Sequence, residues 1–468
     1  MGHQYSVQMR ALNRRAAEKG PLLGRLELPK TDVSTGADAL LVRGLGTRQL
    51  AASIFNYTVG SGIFALPAFA VAQLGTGAPF AYLTCAVVIG LVVLCFAEAG
   101  SRVSLTGGPY AYVEVALGPF IGFIAGALLL VTGLAAGAAV ATIFVGSAMK
   151  LVSGAPSWLA PLLITFVILL LVVINIRGVR SGARMIEAIT IAKLIPLVAF
   201  VAIGVFFIEP ANLRIDHMPE LSTVLGTAGI VIFAFSGVES ALTPSGEVRS
   251  PSRTVPRAAF LALGAATVLY LAIQWVALGV MGLSLASEKI APLGEAASVF
   301  AGPAGRTVMI VGATISTFGY LSSNVLSIPR CLFAFGRDGF IPRIFSSVHP
   351  STHTPHVAIA VYGVALVGLA LSGTFEQLAV LSNLAALVLY FLCAIAVWVL
   401  RKRGIRGEGE PFLLPGGPLI PIATALAIVW LFYSTVTLRE IIALGIVVLI
   451  ALALYVVRFL RLRGQVVS

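Results

Sequence analysis

Charge is what this chain has least of. Only 11% of its 468 residues are Asp, Glu, Lys or Arg, and 58% are hydrophobic, where a soluble domain carries about 25% charged residues. That shortage excludes a soluble globular protein, and so much apolar surface excludes an intrinsically disordered one. Cysteine is scarce as well. Cys85, Cys95, Cys331 and Cys393 all lie in apolar stretches, and none belongs to a CxxC pair. Neither disulfides nor a zinc site are therefore expected. Catalytic signatures are missing: the chain has no P-loop and no HExxH. Ser147-Ala148-Met149-Lys150 matches SxxK, but it has no partner motifs and reads as chance. His349, His353 and His356 fall in a segment interrupted by Pro350 and Pro355, with no helical framework for a metal. No enzyme, cofactor or metal is expected. The first forty residues are polar and lack the apolar core of a signal peptide, which places the N-terminus in the cytoplasm.

What the chain does have is long apolar runs. Twelve are counted, at 46–74, 78–101, 117–149, 157–177, 184–208, 221–247, 255–283, 305–335, 356–373, 376–400, 417–438 and 440–462. About 20 apolar residues cross a bilayer as a helix, and lipid-exposed backbone must be helical or form a closed barrel. The expectation is an all-α integral membrane protein of 12 transmembrane helices, with both termini on one side. Net charge is +12, which in a soluble protein would suggest a nucleic-acid partner. Here the basic residues sit in short loops, so none is expected. With the N-terminus inside, the inner segments hold 25 Lys and Arg and the outer segments hold five. That bias puts both termini in the cytoplasm, across a cell (inner or plasma) membrane.

Runs one and six each carry glycine at mid-depth, and runs three and eight are the long ones. The separation is five runs in both cases. An odd separation makes the two halves antiparallel, and paired interrupted helices in inverted halves point to a midplane site. Run one reads Gly60-Ser61-Gly62-Ile63-Phe64. A helix restarting there would offer unpaired N–H groups and a positive dipole end to an anion. Run six reads Phe233-Ala234-Phe235-Ser236-Gly237-Val238-Glu239. A break at Ser236-Gly237 would free the carbonyls of Phe233, Ala234 and Ser236 to receive an ammonium. Together they describe a pocket for a zwitterion, an amino acid. Close packing of small residues is the plainer alternative for either segment alone.

Other polar residues in the runs leave two readings each. Glu239 either braces the broken helix or carries a proton. Lys193, the one basic residue deep inside a run, is either a proton-coupling group or a fixed structural charge. Ser316, Tyr320, Ser323 and Ser327 form one helical stripe beside Asn324. The stripe either lines a cavity or bonds between helices.

These segments resemble the amino acid–polyamine–organocation (APC) superfamily over about residues 40–460. The likeness rests on Gly60 to Phe64, Glu98, Gly107-Gly108-Pro109-Tyr110-Ala111-Tyr112 and Phe235 to Ala241. It extends through Glu247 to Arg257 and Gly336-Arg337-Asp338-Gly339-Phe340-Ile341-Pro342. The resemblance implies a 5+5 inverted-repeat fold with broken helices 1 and 6, working by alternating access. The first repeat would be 46–208, the second 221–400, and two extra helices would fill 417–462 behind a cytoplasmic segment 1–45. It implies that Ser61, Gly62 and Ile63 hold the substrate carboxylate. Phe233, Ala234 and Ser236 would hold the amino group; Gly237 is counted with the substrate contacts, and Gly60, Glu239, Tyr320 and Ser323 with their support. A lysine at the position of Lys193 is similar to that of proton-coupled or sodium-independent carriers. The expectation is a permease, a proton symporter of a neutral amino acid. An amino acid/amine exchanger and a non-transporting sensor remain the alternatives. The segment from Lys150 to Ser157 has no cysteine, so no disulfide-linked heavy chain is expected.

Overall fold

The computed structural model describes residues 41–467, apart from 42, 151–155, 157, 216, 289–290, 374, 408 and 436–437. The segment 1–45 and the N-terminal placement read from it lie outside the described residues up to residue 40. The described residues are helical, and beyond the helices they hold one isolated parallel bridge, Leu45 to Val248. In chain order the α-helices are α1 (Thr47–Thr58), α2 (Gly62–Leu74), α3 (Ala78–Arg102), α4 (Pro109–Leu117), α5 (Pro119–Lys150) and α6 (Leu159–Ile176). Next come α7 (Val179–Gly204), α8 (Leu221–Phe235), the single turn α9 (Val238–Ala241), α10 (Pro251–Met281) and α11 (Pro292–Ser327). The last are α12 (Pro329–Arg337), α13 (His356–Ser372), α14 (Phe375–Lys402), α15 (Leu419–Thr435) and α16 (Leu438–Val467).

Every apolar run of the sequence is occupied by helix. By length and composition, eight helical stretches among the described residues can cross a membrane, and three shorter apolar helices accompany them. This is a multi-pass membrane protein. The difference from twelve has visible causes. Run one is divided between α1 and α2, and the stretch Gly62–Arg102 joins the second half of run one to run two. Run eight begins earlier than its hydropathy implied. α11 starts at Pro292 and kinks at Gly302 (φ 59°), ahead of Pro303. Its first turns carry Glu295, paired to Arg306 at 2.7 Å, so they read as a polar loop.

Burial sorts the helices. In the membrane stretch of α5, Pro119–Met149, 72% of the residues in its most apolar window are buried, against 28% in Arg184–Phe207 of α7. α5 therefore runs through the protein interior, and α7 shows a broad face to lipid. Glycine makes the central contact possible: a β-carbon on Gly133 of α5 would lie 2.4 Å from Ile328. The Gly133 carbonyl accepts from Asn324 Nδ2 (2.8 Å) and Tyr362 Oη (3.2 Å), tying α5 to α11 and α13. On α7, Lys193, Leu197 and Phe200 are buried while Ile191, Ile195 and Val198 are exposed. The buried set follows i, i+4, i+7, so Lys193 shares the inward stripe.

Candidate functional site

Helix α1 ends at Thr58 and α2 begins at Gly62, with Val59 leaving helical geometry at φ −84°, ψ 74°. Helix α8 ends at Phe235, and Ser236 is extended (φ −70°, ψ 159°). Gly237 takes φ +122°, a value that other residues rarely adopt. The two interruptions touch. A β-carbon on Gly62 would stand 2.8 Å from Cα and Cβ of Ala234, and one on Gly237 would stand 2.6 Å from Cβ of Tyr57. Small residues at these positions thus let the two chains meet, and the backbone also leaves the helix there.

A small cavity lies between the interruptions. Gly60, Ser61 and Gly62 line one side, and Phe233, Ser236, Gly237 and Glu239 line the other, with Tyr320 of α11 beside them. Two of the expected contacts, Ile63 and Ala234, are buried and do not line it. The Ser61 Oγ is buried without a hydrogen-bond partner, so it is a polar group aimed at no protein neighbour. The α2 start adds the unpaired N–H groups of a helix N-terminus. Facing it, the last turn of α8 supplies carbonyl oxygen. Donors on one wall and acceptors on the other suit an anion and a cation held a few bonds apart.

Glu239, one of the lining residues, is nearly fully buried. Its carboxylate accepts the Gly237 N–H (3.0 Å) and the Tyr390 hydroxyl (2.7 Å). These bonds bridge the interruption and fasten it to α14. Lys193 lies behind the α1–α2 segment, fully buried. Its Nζ donates to the carbonyls of Asn56 (3.3 Å) and Val59 (2.5 Å) and sits 5.6 Å from the Phe55 ring centroid. Both acceptors belong to the C-terminal end of α1, where the helix dipole is negative. Ser316 Oγ reaches the same place, within 2.8 Å of the Val59 carbonyl and 3.2 Å of the Gly60 carbonyl.

The polar stripe of α11 divides along its length. Ser316 bonds the α1–α2 segment and Tyr320 lines the cavity. Ser323 is buried with its Oγ unpartnered, and its carbonyl accepts the Tyr57 hydroxyl at 2.9 Å. The Ser327 carbonyl accepts from Thr243 at 2.8 Å. Three residues of this region escaped the sequence reading. Asn56 donates to the Ile186 carbonyl at 3.1 Å and to Thr190 Oγ1. Tyr390 holds Glu239, and Tyr270 bonds the ends of α1 and α8. A tyrosine or asparagine in an apolar run is the only local signal, and several such residues here do nothing comparable.

Charged side chains gather where α3 and α14 end. Glu98, fully buried, accepts from Arg102 Nη2 (2.8 Å), Arg401 Nε (3.0 Å) and the Leu414 N–H (3.0 Å). Arg330 and Glu247, both fully buried, pair at 2.9 Å. On α4, burial and the charge of Asp338 push the Glu114 carboxyl up to about 7, against the opposing pull of Arg337. The described residues contain no group of His, Cys, Asp and Glu fit to hold a metal ion.

The chain matches the family described as amino acid permease over residues 45–457. The serine/threonine exchanger SteT of Bacillus subtilis (strain 168) is 30% identical, over 86% of this chain and 92% of its own. The methylthioribose transporter of the same strain is 29% identical, over 84% and 88%. The branched-chain amino acid permease BcaP of Lactococcus lactis subsp. cremoris (strain MG1363) is 27% identical, over 88% and 93%. A match of that extent shows the family: the chain belongs to the amino acid permeases of the APC superfamily, which are membrane transporters and not enzymes.

Proposed function

We propose that this protein is a secondary active transporter that imports a neutral amino acid by alternating access, in symport with a proton. The observation that carries the reading is the meeting of two interrupted helices around one small cavity, with N–H donors on one side and carbonyls on the other. Ser61 and the start of α2 at Gly62 and Ile63 receive the substrate carboxylate. The carbonyls of Phe233 and Ser236 receive its ammonium, and the Phe233 ring gates the cavity. Glu239 braces the second interruption. Gly60, Gly237, Tyr320 and Ser323 give the cavity its shape. Lys193 carries the coupling proton: its ammonium has only carbonyl acceptors at the end of α1, and the neutral amine would let that end move. Twelve spans, a 5+5 inverted repeat over 46–208 and 221–400, and cytoplasmic termini in a cell membrane complete the picture. The names of the relatives, serine/threonine and branched-chain, favour a neutral side chain.

One observation favours a second reading. The relative at 30% identity is an exchanger, and an exchanger would need a second amino acid and no proton. Uptake of labelled amino acids into proteoliposomes separates the two. Symport predicts accumulation driven by an inward proton gradient with no internal substrate, and loss of that accumulation in Lys193→Ala. Uptake appearing only after preloading with unlabelled substrate would establish exchange, and undiminished accumulation in Lys193→Ala would remove Lys193 from the mechanism.

A further inference from the structure

Tyr270 of α10 is buried, and its bonds to the ends of α1 and α8 have so far been given no part in transport. Its hydroxyl lies 2.5 Å from the carbonyl oxygen of Thr58 and 2.9 Å from that of Ala234. Thr58 closes α1, and Ala234 is the next-to-last residue of α8. Carbonyls in the last turn of a helix have no intrahelical N–H to receive, and both stand at the negative end of a dipole. The Thr58 oxygen has a second donor, the Gly60 N–H at 3.0 Å. Two such ends facing each other repel unless a donor stands between them. The donor here is one phenolic proton, shared between two acceptors. Packing holds the ring in place, edge-on to Phe235 (centroids 5.0 Å, 83°) and to Tyr82 (6.3 Å, 76°).

The same contacts bear on Ala234. Its carbonyl was expected to receive the substrate's amino group, yet the Tyr270 hydroxyl is on it, Gly62 packs against its Cα and Cβ, and it does not line the cavity. We propose that Tyr270 is a positioning residue that clasps the ends of α1 and α8 through its single hydroxyl proton, so that the Ala234 carbonyl is withdrawn from the acceptors of the substrate ammonium. The inference rests on the transport reading above and sharpens its acceptor set.

The test uses the full chain in proteoliposomes, with whichever of labelled L-serine and L-leucine the wild type takes up faster. Tyr270→Phe keeps the ring and removes the donor. It should raise KM about tenfold, the usual scale for one buried hydrogen bond, with the maximal rate within about twofold of wild type. Tyr270→4-aminophenylalanine supplies two N–H groups for two carbonyls and should return KM to near the wild-type value. A merely structural tyrosine would lower the yield of folded protein and the maximal rate, without rescue by the amine. An unchanged KM in Tyr270→Phe, or an amine variant no better than the Phe variant, overturns the proposal. Should Tyr270→Phe fail to fold, the amine variant decides alone: KM near wild type supports the clasp, and a tenfold rise sinks it. Absence of uptake by the wild type itself would defeat the transport reading instead, before either variant is compared.

Discussion

A methyl group at position 237 would have nowhere to go. Gly237 holds φ +122°, which costs a residue with a side chain about 1–3 kcal/mol. Its β-carbon would also press on Tyr57 at 2.6 Å, whose hydroxyl is fixed to the Ser323 carbonyl. Gly237→Ala should therefore lower the melting temperature in detergent and raise KM for the transported amino acid. Gly226→Ala, in α8 with nothing within 4 Å of its β-carbon, should leave both unchanged. If the two variants behave alike, the close approach of the two interruptions is not what shapes the site. At this scale the sequence was legible where rare residue types stood in apolar runs. Gly60, Gly62, Gly237, Lys193 and Glu239 each broke a pattern, because glycine frees the backbone and a charge in lipid needs a reason. It was illegible where a residue acts only through a distant partner. Tyr270 bonds residues 212 and 36 positions away, and Tyr390 bonds one 151 positions away. No window of local sequence contains such a pair. Ile63 and Ala234, whose implied roles rest on their backbone groups, are buried and do not line the cavity, a placement that no local pattern announces.

Between elements, buried ion pairs and backbone bonds gather at the end that the charge bias assigns to the cytoplasm. The Glu247 backbone carbonyl accepts the N–H groups of Gly44 and Leu45 at 3.0 Å, and the Arg249 N–H returns a bond to the Leu45 carbonyl at 2.9 Å. The chain entering α1 is thereby stitched beneath α9. The Glu247 side chain pairs with Arg330 of α12, and Arg330 donates also to the Leu326 carbonyl. Removing one member of a buried pair strands the other charge, at about 3–5 kcal/mol, whereas removing both is far milder. Arg330→Met should accordingly depress the melting temperature more than Arg330→Met combined with Glu247→Gln. A double variant as unstable as the sum of the single variants would show that the pair is uncoupled. Hydropathy found the apolar bodies of these helices and missed their ends. α9 is one turn long, and α12 is set off from α11 by Pro329. Both were absorbed into longer apolar runs, since length and periodicity are weakest at helix ends.

Across the whole molecule, the fold class was readable because lipid imposes one rule on every segment. Each apolar run became helix, with interruptions where glycine marked them in runs one and six; the start of α11 at Pro292 and its kink at Gly302 were not read, because those turns carry charge. One feature of the interior matters on the same scale. Lys193 sits fully buried against the carbonyl end of α1, on the inward stripe of α7. On the proposed reading, a proton enters there from one side and leaves to the other, while the zwitterionic substrate adds no net charge. Each cycle then moves one elementary charge through the transmembrane field, worth about 2.3 kcal/mol per 100 mV. At about 1.4 kcal/mol per tenfold, a voltage of that size alone sustains a concentration ratio of about 40. A valinomycin-imposed potassium diffusion potential, negative inside, should drive uptake by the wild type and leave Lys193→Ala indifferent; voltage-insensitive uptake by the wild type would contradict this. On that proposal the lysine makes the protein a load on the membrane's electrical circuit, drawing one unit of current for every molecule carried.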